Sequence, residues 1–168
     1  PSGYNLGLQA NLTQSVTFSN SEASGTTKTT AFTNKKYGNI TITKKDTDTG
    51  ANLSAGFKIY QKYDGVNYYI NGYSYGSPSG ISFTTNANGA QVFYTTNGSC
   101  TLSNIPFSVY GSTYYVEEVV APSGYNLALQ TNRTKSVSFS NSEENGVTKT
   151  IAFSNKKYGN LTITKKDV

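Results

Sequence analysis

The chain has 168 residues, 35% hydrophobic and 14% charged, with a formal charge of +5. It lacks His, Met and Trp and carries one Cys, Cys100, which excludes a Ser-His-Asp triad, a Cys-His pair, an ordinary zinc site and an internal disulfide. The lysines are scattered, Arg133 is the single arginine, and no apolar run approaches ~18 residues, so neither nucleic-acid binding nor a membrane-spanning segment is expected.

What remains is rich in Thr, Ser, Asn, Gly and Tyr, a composition suited to half-buried strands and tight turns. Residues 1–46 and 122–167 are about three quarters identical, at a spacing of about 121 residues. The sequence therefore reads as a window on a tandem array. Residues 1–36 are the end of one unit, 37–157 a complete unit, and 158–168 the first strand of the next. Short strands are predicted at 39–44, 57–61, 66–70, 91–94, 107–120, 136–140 and 148–155. Asp64-Gly65, Asn71-Gly72, Asn88-Gly89, Asn97-Gly98 and Asn145-Gly146 supply hairpin-type turns. No segment keeps a helical period, so the expected fold class is an all-β, Ig-like sandwich of roughly seven to nine strands. Only Asn34-Lys35-Lys36-Tyr37-Gly38-Asn39 lies between units, which predicts identical repeats joined end to end with little swing.

Strand side chains alternate between faces. Ile40 and Ile42 put Lys44 on an apolar face, Tyr114, Val116 and Val120 do the same for Glu118, and Ile151 and Phe153 for Asn155. Each residue alone has an ordinary reading, a strand end where Lys reaches water or Asn caps a turn. Together they are chemically complementary. A desolvated lysine loses its proton and becomes a nucleophile, and a buried carboxyl that holds a proton can polarise an amide carbonyl. Amine attack on an Asn side chain yields an amide and releases ammonia. The three residues are therefore candidates for an intramolecular Lys44–Asn155 isopeptide crosslink, with Glu118 as its catalytic carboxyl.

Three separated motifs carry a family resemblance. They are Gly38-Asn39-Ile40-Thr41-Ile42-Thr43-Lys44-Lys45-Asp46, followed by Thr49-Gly50 and Leu53; then Tyr115-Val116-Glu117-Glu118-Val119-Val120-Ala121-Pro122-Ser123-Gly124-Tyr125; and Ala152-Phe153-Ser154-Asn155-Lys156-Lys157. In order, they resemble the first strand with its reactive lysine, the "E-box", and the last strand of B-type Cna (CnaB-like) repeats from Gram-positive surface adhesins and pilins. The resemblance implies a prealbumin-like sandwich of the CnaB type, a Lys44–Asn155 bond joining its first and last strands, and Glu118 rather than Glu117 as the catalyst. It also implies an extracellular place at the cell wall. One departure is Leu53-Ser54-Ala55-Gly56-Phe57, a residue shorter than the family's usual spacing, which bears on the register of the second strand. Asn34 is the equivalent of Asn155, and Lys165 of Lys44. Their partners fall outside the sequence, so one complete crosslink is expected. Neighbouring copies would have to complete 1–36 and 158–168.

Residues 60–75 hold six tyrosines, and Tyr68, Tyr69 and Tyr73 make a possible ligand patch, with an ordinary edge hairpin as the alternative. Asp46-Thr47-Asp48-Thr49-Gly50 starts like a calcium loop but lacks the later Glu, so a turn is expected, with no metal and no cofactor. Cys100 is expected to be an inert thiol. The leading function is a self-crosslinked stalk or fibre repeat of a surface adhesin, a non-enzyme whose triad reacts once. The alternatives are an adhesin module that grips a host protein or glycan through the 60–75 hairpin, and a sortase-polymerised pilin subunit.

Overall fold

The computed structural model describes residues 12–32, 34–74 and 80–167, and nine β-strands with no α-helix lie among them. The strands are β1 (Tyr37–Asp46), β2 (Gly56–Tyr63), β3 (Val66–Gly72), β4 (Ser82–Thr84), β5 (Phe93–Tyr94), β6 (Ser99–Pro106), β7 (Thr113–Val120), β8 (Thr134–Ser138) and β9 (Thr148–Asn155). They form two sheets. The smaller has the order β6-β1-β9, with β1 antiparallel to β6 and parallel to β9. The larger has the order β4-β3-β2-β7-β8, with β5 pairing to β2.

The core lies between the sheets. Ile40, Ile42, Leu102, Ile105, Ile151 and Phe153 of the small sheet pack in one cluster with Phe57, Ile59, Ile70, Tyr114 and Val116 of the large one. Inward residues alternate with outward ones along β1 and β9, the pattern of strands buried on one face. The β2–β3 hairpin turns through Asp64 (φ 48°) and Gly65 (φ 74°), the two positive-φ positions that this tight connection requires. Asn97 (φ 51°) and Gly98 (φ 78°) do the same between β5 and β6.

Several predicted elements come out differently. Residues 107–120 are not one strand: β7 begins only at Thr113, after a loop that starts beyond Pro106. Asn71-Gly72 is no turn, because Gly72 pairs with Ser82 inside the β3–β4 ladder. Asn88-Gly89 sits in a short 3₁₀ turn capped by the Asn86 side chain. Strands β4 and β6 were not expected. In β6 the alternation of Cys100 and Leu102 breaks at Asn104, which takes φ 58°. The short Leu53–Phe57 spacing is absorbed by a bulge: Gly56 faces Val120 but Phe57 faces Glu118, leaving Val119 as the extra residue. The backbone approach there is close, since a Cβ on Gly56 would lie 2.9 Å from both Val120 Cβ and Val92 Cγ1. Residues 12–32 and 158–167 form no strand, and no helix among the described residues is long and apolar enough to cross a membrane.

Candidate functional site

Lys44, Glu118 and Asn155 meet in the core, where they are 0%, 1% and 1% exposed. Lys44 follows Ile40 and Ile42 on the inner face of β1, and Asn155 follows Ile151 and Phe153 on the inner face of β9. Because the two strands run parallel with Asp46 opposite Asn155, Lys44 and Asn155 end up side by side at the same end of the small sheet. Glu118 reaches them from the facing sheet, on the inner row of β7 with Tyr114 and Val116 and directly beside the bulge. Lys44 Nζ donates to Glu118 Oε2 at 2.8 Å and to Asn155 Oδ1 at 2.5 Å, and Asn155 Nδ2 donates to Glu118 Oε1 at 2.7 Å. The three side chains close a ring of hydrogen bonds.

The surroundings are apolar. The Phe153 ring centre lies 6.0 Å from Lys44 Nζ and packs against Phe57 at 4.9 Å. Burial lowers the pKa of the Lys44 amine, the hydrogen bond and charge of Glu118 oppose that shift, and the nearby Lys135 charge adds to it. One carboxylate therefore touches both the amine and the nitrogen of the carboxamide. Such an arrangement can carry a proton from the first to the second.

A second polar group stands at the same end, built on Asp46, which shares the inner face of β1 with Lys44. Asp46 Oδ1 accepts from the Asp48 and Thr49 amides and the Thr49 hydroxyl, closing the 46–50 turn, while Oδ2 accepts from the Tyr125 hydroxyl. The Tyr125 bond first, then those from Thr49, hold the Asp46 carboxyl well below the usual carboxylate range. The same bond pushes the Tyr125 hydroxyl up to about 12. Among the described residues no cluster of acidic, Cys or His side chains could hold a metal ion.

The other candidates lie apart. Lys165 is exposed, and Asn34 is half-buried in a groove with Phe107, Ser108 and Asn141. Cys100 is buried in the core. Of the three tyrosines of the possible ligand patch, Tyr69 and Tyr73 are buried and Tyr68 is half-buried, while Tyr75 lies outside the described residues. Tyr73 is a core residue whose hydroxyl donates to the Ser103 carbonyl, and Tyr69 is buried against Tyr60. Tyr68 stacks on Tyr110 at 3.8 Å. A tyrosine that buries its ring and bonds its hydroxyl is core material, and composition alone does not separate that from a contact surface.

The two-sheet all-β sandwich is a prealbumin-like fold. Residues 38–157 match the family model described as SpaA, prealbumin-like fold domain, and the chain belongs to that family. No curated protein sequence matches it. The fold resembles the group B streptococcus pilus 2b backbone protein, with TM-score 0.53 at 21% identity over 72% of this chain and 41% of that one. It also resembles the minor pilin GBS52 of Streptococcus agalactiae, with TM-score 0.54 at 19% identity over 79% and 49%. The shaft pilin spaA of Lactobacillus rhamnosus GG gives TM-score 0.51 at 22% identity over 76% and 48%. The chain thus spans less than half of each of these proteins.

Proposed function

We propose that the protein is a structural segment of a stalk or pilus shaft on a Gram-positive bacterial surface, locked by a self-formed amide between Lys44 and Asn155. The observation that carries this reading is the buried ring in which Glu118 contacts both Lys44 Nζ and Asn155 Nδ2. Membership of a prealbumin-like domain family, the likeness of the fold to that of pilins and the repeat between residues 1–46 and 122–167 support the structural role.

Burial lowers the pKa of the Lys44 amine, and the reaction begins as Nζ passes a proton to the Glu118 oxygen it already donates to. The neutral amine attacks Asn155 Cγ, the Nζ–Cγ bond forms, and the Cγ–Nδ2 bond breaks. Of the two protons that Lys44 gives up, Glu118 relays one to the departing nitrogen and keeps the other. Ammonia leaves, and a neutral carboxyl replaces a buried ion pair. The triad is consumed in one event, so there is no turnover.

The crosslink bears directly on mechanics. β1 is the first strand of the sandwich and β9 the last, and they lie parallel, so tension along the chain shears one against the other. A bond between positions 44 and 155, which are 111 apart, lets the load bypass residues 45–154 altogether. Intact-protein mass spectrometry tests the chemistry, because one Lys-Asn amide removes about 17 Da as ammonia. The chain is expected to carry that deficit and Glu118→Ala to lack it. A chain of full calculated mass would overturn the proposal.

A further inference from the structure

From β1, two polar contacts reach across to β7 and the chain that follows it, at the end where β1 and β9 finish. One is the Lys44–Glu118 pair, and the other is the bond from the Tyr125 hydroxyl to Asp46. Their placement is related. Asp46 lies two residues beyond Lys44 on the same face and opposite Asn155 in the ladder. Tyr125 belongs to the chain leaving β7, just past Glu118, in a turn where its amide donates to the Pro122 carbonyl at 3.1 Å. Asp46 is itself fixed, because Oδ1 takes the Asp48 amide at 2.9 Å, the Thr49 amide at 2.6 Å and the Thr49 hydroxyl at 2.8 Å. One oxygen is left for the tyrosine. The Lys157 ammonium covers the Tyr125 ring at 5.3 Å.

The same loop also braces β9. Gln130 exchanges two hydrogen bonds with the backbone of Lys156, at 2.9 and 3.0 Å, immediately after Asn155. Tyr125 thus holds the β1 side of the reacting pair and Gln130 the β9 side. Reacting atoms must sit about 3–3.5 Å apart, and a displacement of about 1 Å can cost on the order of 100-fold in rate.

We propose that Tyr125 is a positioning residue for the crosslinking reaction: by clasping Asp46 it docks the loop after β7 onto the end of β1 and sets the sheet separation at which Glu118 reaches Lys44 and Asn155. This rests on the crosslinking reading above. The test uses the full chain freshly made by cell-free translation, with the ~17 Da loss followed over time at a temperature where every variant is folded. Tyr125→Phe and Asp46→Leu are each expected to slow the loss about 10- to 100-fold, and the double variant to be no slower than either. Asp46→Asn keeps an oxygen for the turn and supplies an N–H for the Tyr125 oxygen, so it should restore most of the rate. In the unreactive Glu118→Ala chain, adding Tyr125→Phe should speed hydrogen exchange of the Thr47 amide, which donates to the Asn155 carbonyl at 2.9 Å. Loss in the parent with an unchanged Tyr125→Phe rate overturns the role of Tyr125 alone, even if exchange at Thr47 changes. No loss in the parent overturns the crosslinking reading and this one with it.

Discussion

Residues 12–32 and 133–153 are about two-thirds identical, yet they share only a turn. In the later copy Thr134–Ser138 and Thr148–Asn155 are strands, and Phe139 and Phe153 are 3% and 4% exposed. In the earlier copy there is no strand, and the equivalent Phe18 and Phe32 are 61% and 56% exposed. The turn survives in both. Glu22 donates its amide to Ser19 at 3.1 Å as Glu143 does to Ser140 at 2.9 Å, and Gly25 (φ 85°) matches Gly146 (φ 89°). Lys28 pairs with Glu22 as Lys149 pairs with Glu143. The β1 sequence behaves in the same way: Ile40 and Ile42 are fully buried, while their equivalents Leu161 and Ile163 are 87% and 84% exposed. Contacts spanning a few residues fix a turn wherever the sequence occurs. A strand needs its neighbours in the sheet, and an isolated pair of them is at best marginal.

Paired substitutions at equivalent positions break this comparison most sharply at the crosslink. Asn155→Ala is expected to abolish the mass deficit and to cost about 4–5 kcal/mol, the chain-entropy value for a closed loop of this span. Asn34→Ala should leave both the mass deficit and the stability unchanged. Denaturant unfolding with intact mass on the same samples decides it, and equal losses at the two positions would contradict the assignment. The next effect belongs to packing. Phe139 stacks on Phe107 at 4.7 Å and meets Tyr114 edge-on at 6.0 Å, so Phe139→Ala should cost about 3–5 kcal/mol in an uncrosslinked background. Phe18→Ala should fall within about 0.5 kcal/mol of its parent.

The same contrast explains what could be read from the sequence. The strands β1, β7 and β9 are strictly alternating where it matters, so parity alone placed Lys44, Glu118 and Asn155 on inner faces. Strand β6 was hidden because Ser99–Pro106 offers few apolar residues and breaks its alternation at Asn104; it exists because β1 lies beside it. The tyrosines misled for a different reason. Tyr73 and Tyr69 are amphipathic, and only the tertiary positions of Ser103 and Tyr60 settle that they face inward or pack against a neighbouring ring. The Asp46–Tyr125 clasp joins residues 79 apart, and nothing local announces such a pair.

The smallest expected effect tests whether the shared turn is as autonomous as its two occurrences suggest. The Glu143 carboxylate pairs with Lys149 and accepts the Ser140 amide at 2.9 Å; the lysine first, then the amide, hold its pKa below the ordinary 4.5. A carboxyl with a depressed folded value contributes stability above its unfolded value and loses that contribution as pH falls through the folded one. The window therefore opens near 4.5 and extends downward. Because the side chain is partly exposed and outside the core, the change should stay local. In an NMR titration the Ser140 amide should shift with a midpoint below 4.5, while the ring signals of Phe139 and Phe153 hold still. Lys149→Met should move that midpoint upward by removing the leading cause of the shift. If β8 and β9 melted with the same midpoint, the turn would depend on the sheet after all, and its recurrence in residues 12–32 would need another cause.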